Sequence, residues 1–222
     1  MITQLNTPNG RFYEVNGDLF PSVTTIIKAT RTPEDCNRLR KWQHKTDKIH
    51  GADTAEQESN SAKDRGNTIH KAIADSLLGL YDAQTPIAPE SKSYWNSVSP
   101  IVKAIKNPCA VEHIVYHDTL KYAGTLDLIA DWQGKRTIID WKTSRRIKKL
   151  SWMSEAILQV VAYKGAYESM QEQRIEQALV VVISPKQSQL FVIDQDEIAA
   201  AWDLWLIRLE QYKQQSLLTI SP

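Results

Sequence analysis

Several features that would classify this sequence at once are missing from it. Its 222 residues include only two cysteines, Cys36 and Cys109, far apart and in no metal-ligand spacing. That argues against a disulfide framework and against a four-cysteine iron–sulfur cluster. No run approaches the roughly 18 apolar residues that a membrane span needs, so no membrane association is expected. The segment Met1 to Arg11 is polar, without the apolar stretch of a signal peptide or the Arg- and Ser-rich character of a transit peptide. The expected location is the cytoplasm of a bacterium or a phage-infected host cell. No internal repeat or low-complexity tract is visible. Strong net charge is absent too: 27 basic against 26 acidic residues leave +1, too little to attract a polyanion by the global field.

What remains is an ordinary globular composition, 42% hydrophobic and 24% charged. A chain of this length fits one domain and can bury a core without disulfides or structural metal. The charge, however, is unevenly spread. Lys135, Arg136, Lys142, Arg145, Arg146, Lys148 and Lys149 face the single acid Asp140, which is 7 − 1 = +6 within fifteen residues. Such a run is either a solvated face or a surface that follows phosphates.

Phe12 to Val15, Asn16-Gly17 and Asp18 to Phe20 read as a small hairpin, and Val23 to Ala29 as a short helix or strand. Residues 34–50 are helix-compatible, and Gly51 to Ala62 reads as a polar, mobile connection. Ile69, Ile73, Leu77 and Tyr81 give a helical stripe over 64–81. Pro86 and Pro89 break the chain before a helix over 91–106. Three strands follow at Val111–Tyr116, Ala123–Asp131 and Arg136–Trp141, with Gly134 turning the last pair. A helix from Trp152 to Met170 leads to a hairpin over 179–193. A last helix, 197–214, turns Trp202, Trp205 and Leu209 inward. This order predicts an α/β fold around a mixed sheet.

Alternation puts Asp140 and Lys142 on one face of their strand and Trp141 on the other, in the core. Alone, the pair could be a surface ion pair on an edge strand. Asp127 lies in a strand otherwise apolar, where a carboxylate is costly unless paired or bound to metal. A hairpin centred between Gln133 and Gly134 sets Asp127 opposite Asp140, and two carboxylates aimed at one point suit Mg²⁺ or Mn²⁺. His70, beside its helix's apolar stripe, is either a further ligand or a satisfied core histidine. Glu112 is either a ligand or supporting carboxylate or a strand-end surface charge. Gln159 and Tyr163, four apart on the following helix, border the same place.

Four segments, in order, carry a resemblance. Arg65-Gly66-Asn67-Thr68-Ile69-His70, Gly124-Thr125-Leu126-Asp127, Asp140-Trp141-Lys142 and Gln159-Val160-Val161-Ala162-Tyr163 resemble the motifs of the PD-(D/E)XK nuclease superfamily, in its RecB-like exonuclease branch. The first departs from the pattern at Asn67, where the motif runs straight from Gly to Thr. Leu19 to Ile26, and Glu112 with Tyr122-Ala123-Gly124, narrow the likeness to mitochondrial, phage and bacterial exonucleases of that branch. Cas4-like and AddB-like members carry an iron–sulfur cluster, for which the cysteines here are too few.

The resemblance implies a restriction-endonuclease-like fold, a central mixed sheet flanked by helices, in one nuclease domain over 1–222. Residues 1–62 would hold the hairpin and a helical arch or gate, and 63–222 the nuclease core. It implies His70, Asp127, Asp140 and the Trp141 carbonyl around Mg²⁺ or Mn²⁺. Lys142 would orient water or neutralise transition-state charge, and Glu112 would stand among the catalytic carboxylates. DNA contacts would come from Gln159, Tyr163, Arg65 and the basic stretch Arg145, Arg146, Lys148 and Lys149. An arch would add Lys41, Trp42, Lys45 and Lys48, with Trp42 either a stacking platform or its helix's packing anchor. The implied activity is a metal-dependent exonuclease acting on single-stranded DNA with a free end, working as a monomer. A structure-specific or double-strand endonuclease and a non-catalytic DNA-binding module are the alternatives.

Overall fold

The Asn16-Gly17 turn forms as the dipeptide requires, with φ of +52° and +91°. It joins β2 (Gly10–Val15) to β3 (Asp18–Pro21) in the computed structural model, which describes residues 2–80 and 87–220, with side chains through 217. A strand not anticipated, β1 (Ile2–Thr7), pairs antiparallel with β2. Its residues are almost all exposed, so no apolar alternation marks it. Ser22 then decides the ambiguous segment in favour of helix. It caps α1 (Val23–Ala29), its Oγ accepting from the Thr25 N–H at 3.0 Å. Thr25 Oγ1 accepts from the Arg11 N–H and donates to the Arg11 carbonyl, both at 3.0 Å, which fastens α1 to the hairpin.

The expected mobile connection over 51–62 is not there. After α2 (Pro33–His50), the chain turns in three residues through Gly51 (φ +103°) and Asp53 (φ +64°). It enters α3 (Thr54–Leu77) at once, so 54–62 is the first third of a long helix. Polarity misled because this part of α3 has a largely solvent-facing surface: Ala55 is buried, and Asp47 of α2 accepts the Ala55 N–H at 2.8 Å. The helix expected over 91–106 is α4 (Pro89–Ala104), Pro89 serving in its first turn, and Lys106 already belongs to a strand. Tyr81 and Pro86 lie outside the described residues.

Strands β4 (Lys106–His117), β5 (Tyr122–Trp132) and β6 (Lys135–Thr143) form an antiparallel meander. The helix α5 (Ser154–Met170) crosses over to β7 (Gln177–Ile183), parallel to β6, and β8 (Ser188–Ile193) completes the order β4-β5-β6-β7-β8. A mixed sheet with one crossover helix is the α/β restriction-endonuclease-like arrangement. One face packs under α1, α5 and the last helix, α6 (Gln195–Ile220), around Leu126, Ile138, Val180 and Trp205. The other packs under α3 and α4, around Ile69, Ile73, Leu128, Ile139 and Trp141. No helix among the described residues is long and apolar enough to cross a membrane.

Of the three residues expected inward on α6, Trp205 and Leu209 are buried and Trp202 is partly exposed against the core. Trp202 lies flat on α5 at Gly165, where a Cβ would meet its Cζ3 at 2.2 Å. Gly165→Ala must therefore push a ring, and should destabilise by about 1–3 kcal/mol in chemical denaturation.

Candidate active site at a fork in the sheet

Strands β5 and β6 run in the register the hairpin argument requires, Trp132↔Lys135 through Leu128↔Ile139. Continued by one step, that register sets Asp127 opposite Asp140. There the ladder opens. Asp127 Oδ2 accepts the backbone N–H of Trp141 at 2.8 Å, a carboxylate standing where the next strand carbonyl would be. On the other side, β4 and β5 pair at Val111↔Leu128 and His113↔Leu126 but not at Glu112. Glu112 has φ +46°, left-handed for a non-glycine residue, which costs on the order of 1–3 kcal/mol. The strand also turns over here: Leu126 packs on one face of the sheet and Leu128 on the other. Asp127 therefore sits at the crotch of a fork.

His70 reaches the fork from α3. Its Nε2 is 2.9 Å from the Trp141 carbonyl, and its Nδ1 lies 3.5 Å from Asp127 Oδ1 and 3.7 Å from Glu112 Oε1. Potential ligand atoms of His70, Glu112 and Asp127 all fall within 4.8 Å of one another. Burial works against a charged imidazole, but the charge and hydrogen bond of Asp127, with Glu112 adding a second, push its pKa up to about 10. Asp127 is buried as well, yet its pKa falls, because the charge and hydrogen bond of His70 outweigh desolvation. Asp140 goes the other way, to about 6: burial and the Asp127 charge overcome the Lys142 ammonium.

Lys142 Nζ donates to Asp140 Oδ1 at 2.9 Å and lies 2.7 Å from Oδ2. Oδ2 is fully buried and meets the ammonium as an ion pair rather than through a well-formed hydrogen bond. A buried carboxylate is costly without a cation beside it, and here Lys142 supplies one. Glu112, Asp127 and Asp140 against Lys142 sum to −3 + 1 = −2 once His70 is neutral, the charge a divalent ion balances. The clustered donors, the Glu112 and Asp127 carboxylates and the His70 imidazole with the Trp141 carbonyl against it, fit such an ion; Asp140 stands outside that cluster, paired with Lys142.

The same lysine donates to Gln159 Oε1 at 3.0 Å, and Gln159 Nε2 donates to the Tyr163 hydroxyl at 3.2 Å. Residues four apart on α5 thus extend a chain from Asp140 through Lys142 to Tyr163. Gly124 makes room for its end: a Cβ there would meet Tyr163 Cε1 at 2.4 Å. Gly124→Ala should displace the ring. In contrast to Gly165→Ala, it should lower cleavage per folded molecule as well as stability, a difference read by kcat normalised to the folded fraction.

Beyond Lys142 the chain passes Thr143 and Ser144, which line a groove of about 600 Å³ with Trp42, Arg65, Arg145, Arg146 and Lys148. Arg65 stacks 5.1 Å above the Tyr94 ring, and its Nε is buried without a partner. Arg145 reaches across the groove to Glu58 of α3 at 3.3 Å. Lys41, Lys45 and Lys48 instead stay exposed on α2, and Lys149 is exposed, none of the four among the groove's lining residues. Glu58, Thr143 and Ser144 line the groove without belonging to any of the four motifs. Thr143 and Ser144 were reachable, being the next residues on the active-site strand; Glu58 had no local signal.

A fork of two strands carrying Asp and Asp-x-Lys, closed by a helix with His and another with Gln-x-x-x-Tyr, defines a nuclease class. Residues 91–217 match the PD-(D/E)XK nuclease superfamily, and the chain belongs to it. It is similar to the proteins named mitochondrial genome maintenance exonuclease 1. The mouse (Mus musculus) protein is 32% identical over 212 residues, 91% of this chain and 62% of the relative. The human (Homo sapiens) protein is 31% identical over 206 residues, 89% and 59%. The Xenopus tropicalis protein is 29% identical over 212 residues, 92% and 60%. The chain thus spans about three-fifths of the length of these relatives.

Proposed function

We propose that this chain is a Mg²⁺- or Mn²⁺-dependent DNA exonuclease that degrades single strands from a free end and works as a monomer. The observation that carries the reading is the cluster of ligand atoms from His70, Glu112 and Asp127 within 4.8 Å of one another, with the Asp140–Lys142 pair on the neighbouring strand and a basic groove beyond it. A divalent cation bound by His70, Asp127, Asp140 and the Trp141 carbonyl would act as a Lewis acid on the scissile phosphate and on attacking water. The chain's own residues do the rest. Asp127 keeps β6 open by holding the Trp141 N–H, which presents the adjacent carbonyl to the site. Lys142, held between Asp140 and Gln159, directs its ammonium at the charge that grows on the phosphate oxygens. Arg65, Arg145, Arg146 and Lys148 line the groove along which the backbone would run.

Preference for a single strand rests on the groove's place between the α2–α3 hairpin and the 144–148 segment, with Trp42 on its wall. The relatives' name, with its word exonuclease, agrees with the end requirement. The test is end-labelled and internally labelled DNA, linear and circular, single- and double-stranded, in Mg²⁺ and in Mn²⁺. Linear single strands should be consumed and closed circles should persist. Rapid cutting of single-stranded circles would replace the exonuclease reading by an endonuclease of the same superfamily.

A further inference from the structure

The basic groove does not end at Trp42. Trp42 and Lys148 also line a second cavity of about 460 Å³, whose other walls include Arg38, Leu39, Trp152 and Ser154. The two compartments are therefore neighbours that share these two side chains as walls, one reaching to Thr143 and Arg65 and the other to Trp152. Two large aromatic rings stand open here, Trp42 at 42% and Trp152 at 53% exposure. Half-exposed indoles on the walls of one cavity offer flat apolar faces to an occupant. The cavity's cations suggest which. Lys148 Nζ hovers 5.8 Å from the Trp152 ring centroid, and Arg38, largely exposed, lies 3.3 Å from Asp35. Arg31, by contrast, is locked to Glu155 by two bonds of 2.7 and 2.9 Å and serves as wall.

The segment bearing these groups is held ready. Gln189 of β8 accepts the Lys148 N–H at 2.7 Å and donates to its carbonyl at 3.0 Å, which fixes the backbone while the ammonium lies over the Trp152 ring. Trp152 follows directly in a short 3-10 turn, Leu150–Trp152. Basic side chains interleaved with open aromatics, adjoining the basic groove, suit unpaired bases on a phosphate backbone. A paired base has both faces covered by its neighbours and cannot enter.

We propose that this second compartment is a nucleobase-stacking site, in which unpaired bases of the strand stack on Trp152 and Trp42 while Lys148 and Arg38 hold its phosphates. The inference rests on the nuclease reading above and adds where the strand goes beyond the cleft. A base arriving at Trp152 displaces the Lys148 ammonium from the ring, freeing it for the phosphate alongside.

Steady-state cleavage of oligothymidylates of increasing length in Mg²⁺ tests it. Trp152→Ala should raise KM for long oligomers about 5- to 100-fold, the range for losing one stacked base, with kcat held. The shortest cleavable oligomers, which end before Trp152, should be cut as by wild type. Trp152→Phe should keep most of the length dependence. A single abasic nucleotide, walked along a long oligomer, should reproduce the loss at one position and add nothing in Trp152→Ala. An unchanged melting temperature, expected for a half-exposed side chain, shows the variant folded. Wild-type length dependence in Trp152→Ala, an equal loss at all lengths, or additive abasic and Trp152→Ala effects would each overturn the stacking site. Wild-type protein that cleaves no oligomer at all would bring down the nuclease reading, and this inference with it.

Discussion

Asp140→Ala is expected to lose cleavage by about a thousandfold or more, on the order of 4 kcal/mol of transition-state stabilisation, while DNA binding in the groove survives. The binding groups, Arg65, Arg145 and Lys148, stand on other segments and do not depend on the Asp140 carboxylate. Asp127 needs a subtler substitution, because its Oδ2 also holds the Trp141 N–H. Asp127→Asn keeps an acceptor for that N–H and should fold, yet lose cleavage to a similar degree. Both losses should coincide with loss of a cation-dependent rise in melting temperature. In wild type that rise should be worth about 2.7 kcal/mol at a cation concentration of 100 Kd. More than about a tenth of wild-type cleavage in Asp140→Ala would remove the proposed site, since a true ligand supplies several kcal/mol.

The same cluster gives the cation-free protein a pH signature. His70 is raised from 6.5 to about 10. A basic group raised on folding contributes stability that is complete below its unfolded pKa and disappears as pH climbs through the folded one. Melting temperature without cation should therefore decline between pH 6.5 and about 10, and Asp127→Asn should flatten that decline by removing the main cause of the shift.

How much of this could be read from residues alone follows the range of the interactions. The pairing of β5 with β6 was legible because period-two alternation and the Gly134 turn, with φ +81° after Gln133 at +51°, are local. From that register alone Asp127 falls opposite Asp140. The opening of the ladder was not legible. It depends on a side chain of β5 capturing a backbone N–H of β6 and on the left-handed φ of Glu112, neither of which has a local signature. His70 had two readings because a histidine beside an apolar stripe looks alike in both. Its bond to the Trp141 carbonyl, 71 positions away, brings it to the carboxylates. The 54–62 error came from treating polarity as irregularity, when Ala, Glu and Gln in that stretch are good helix formers on a wet face.

Lys142 carries the second large effect. Its ammonium is held by Asp140 and by Gln159 Oε1, and its pKa is raised: burial opposes the charge, but Asp140 and Asp127 more than compensate. It is therefore a fixed positive charge across any practical assay range. Lys142→Met should lower kcat about 100- to 1,000-fold, the usual consequence of removing one preorganised electrostatic group. Arginine should not restore it, since a planar fork cannot occupy the compact position between a carboxylate and an amide oxygen. Gln159→Ala leaves Asp140 to hold the amine and should cost only about tenfold, one hydrogen bond's worth. The decisive readout is cation binding, followed by thermal shift. Removing Lys142 changes the site from −2 to −3, so Lys142→Met should bind the cation at least as tightly as wild type while failing to cut. Loss of the cation-dependent shift in that variant would mean that Lys142 merely props Asp140 in place.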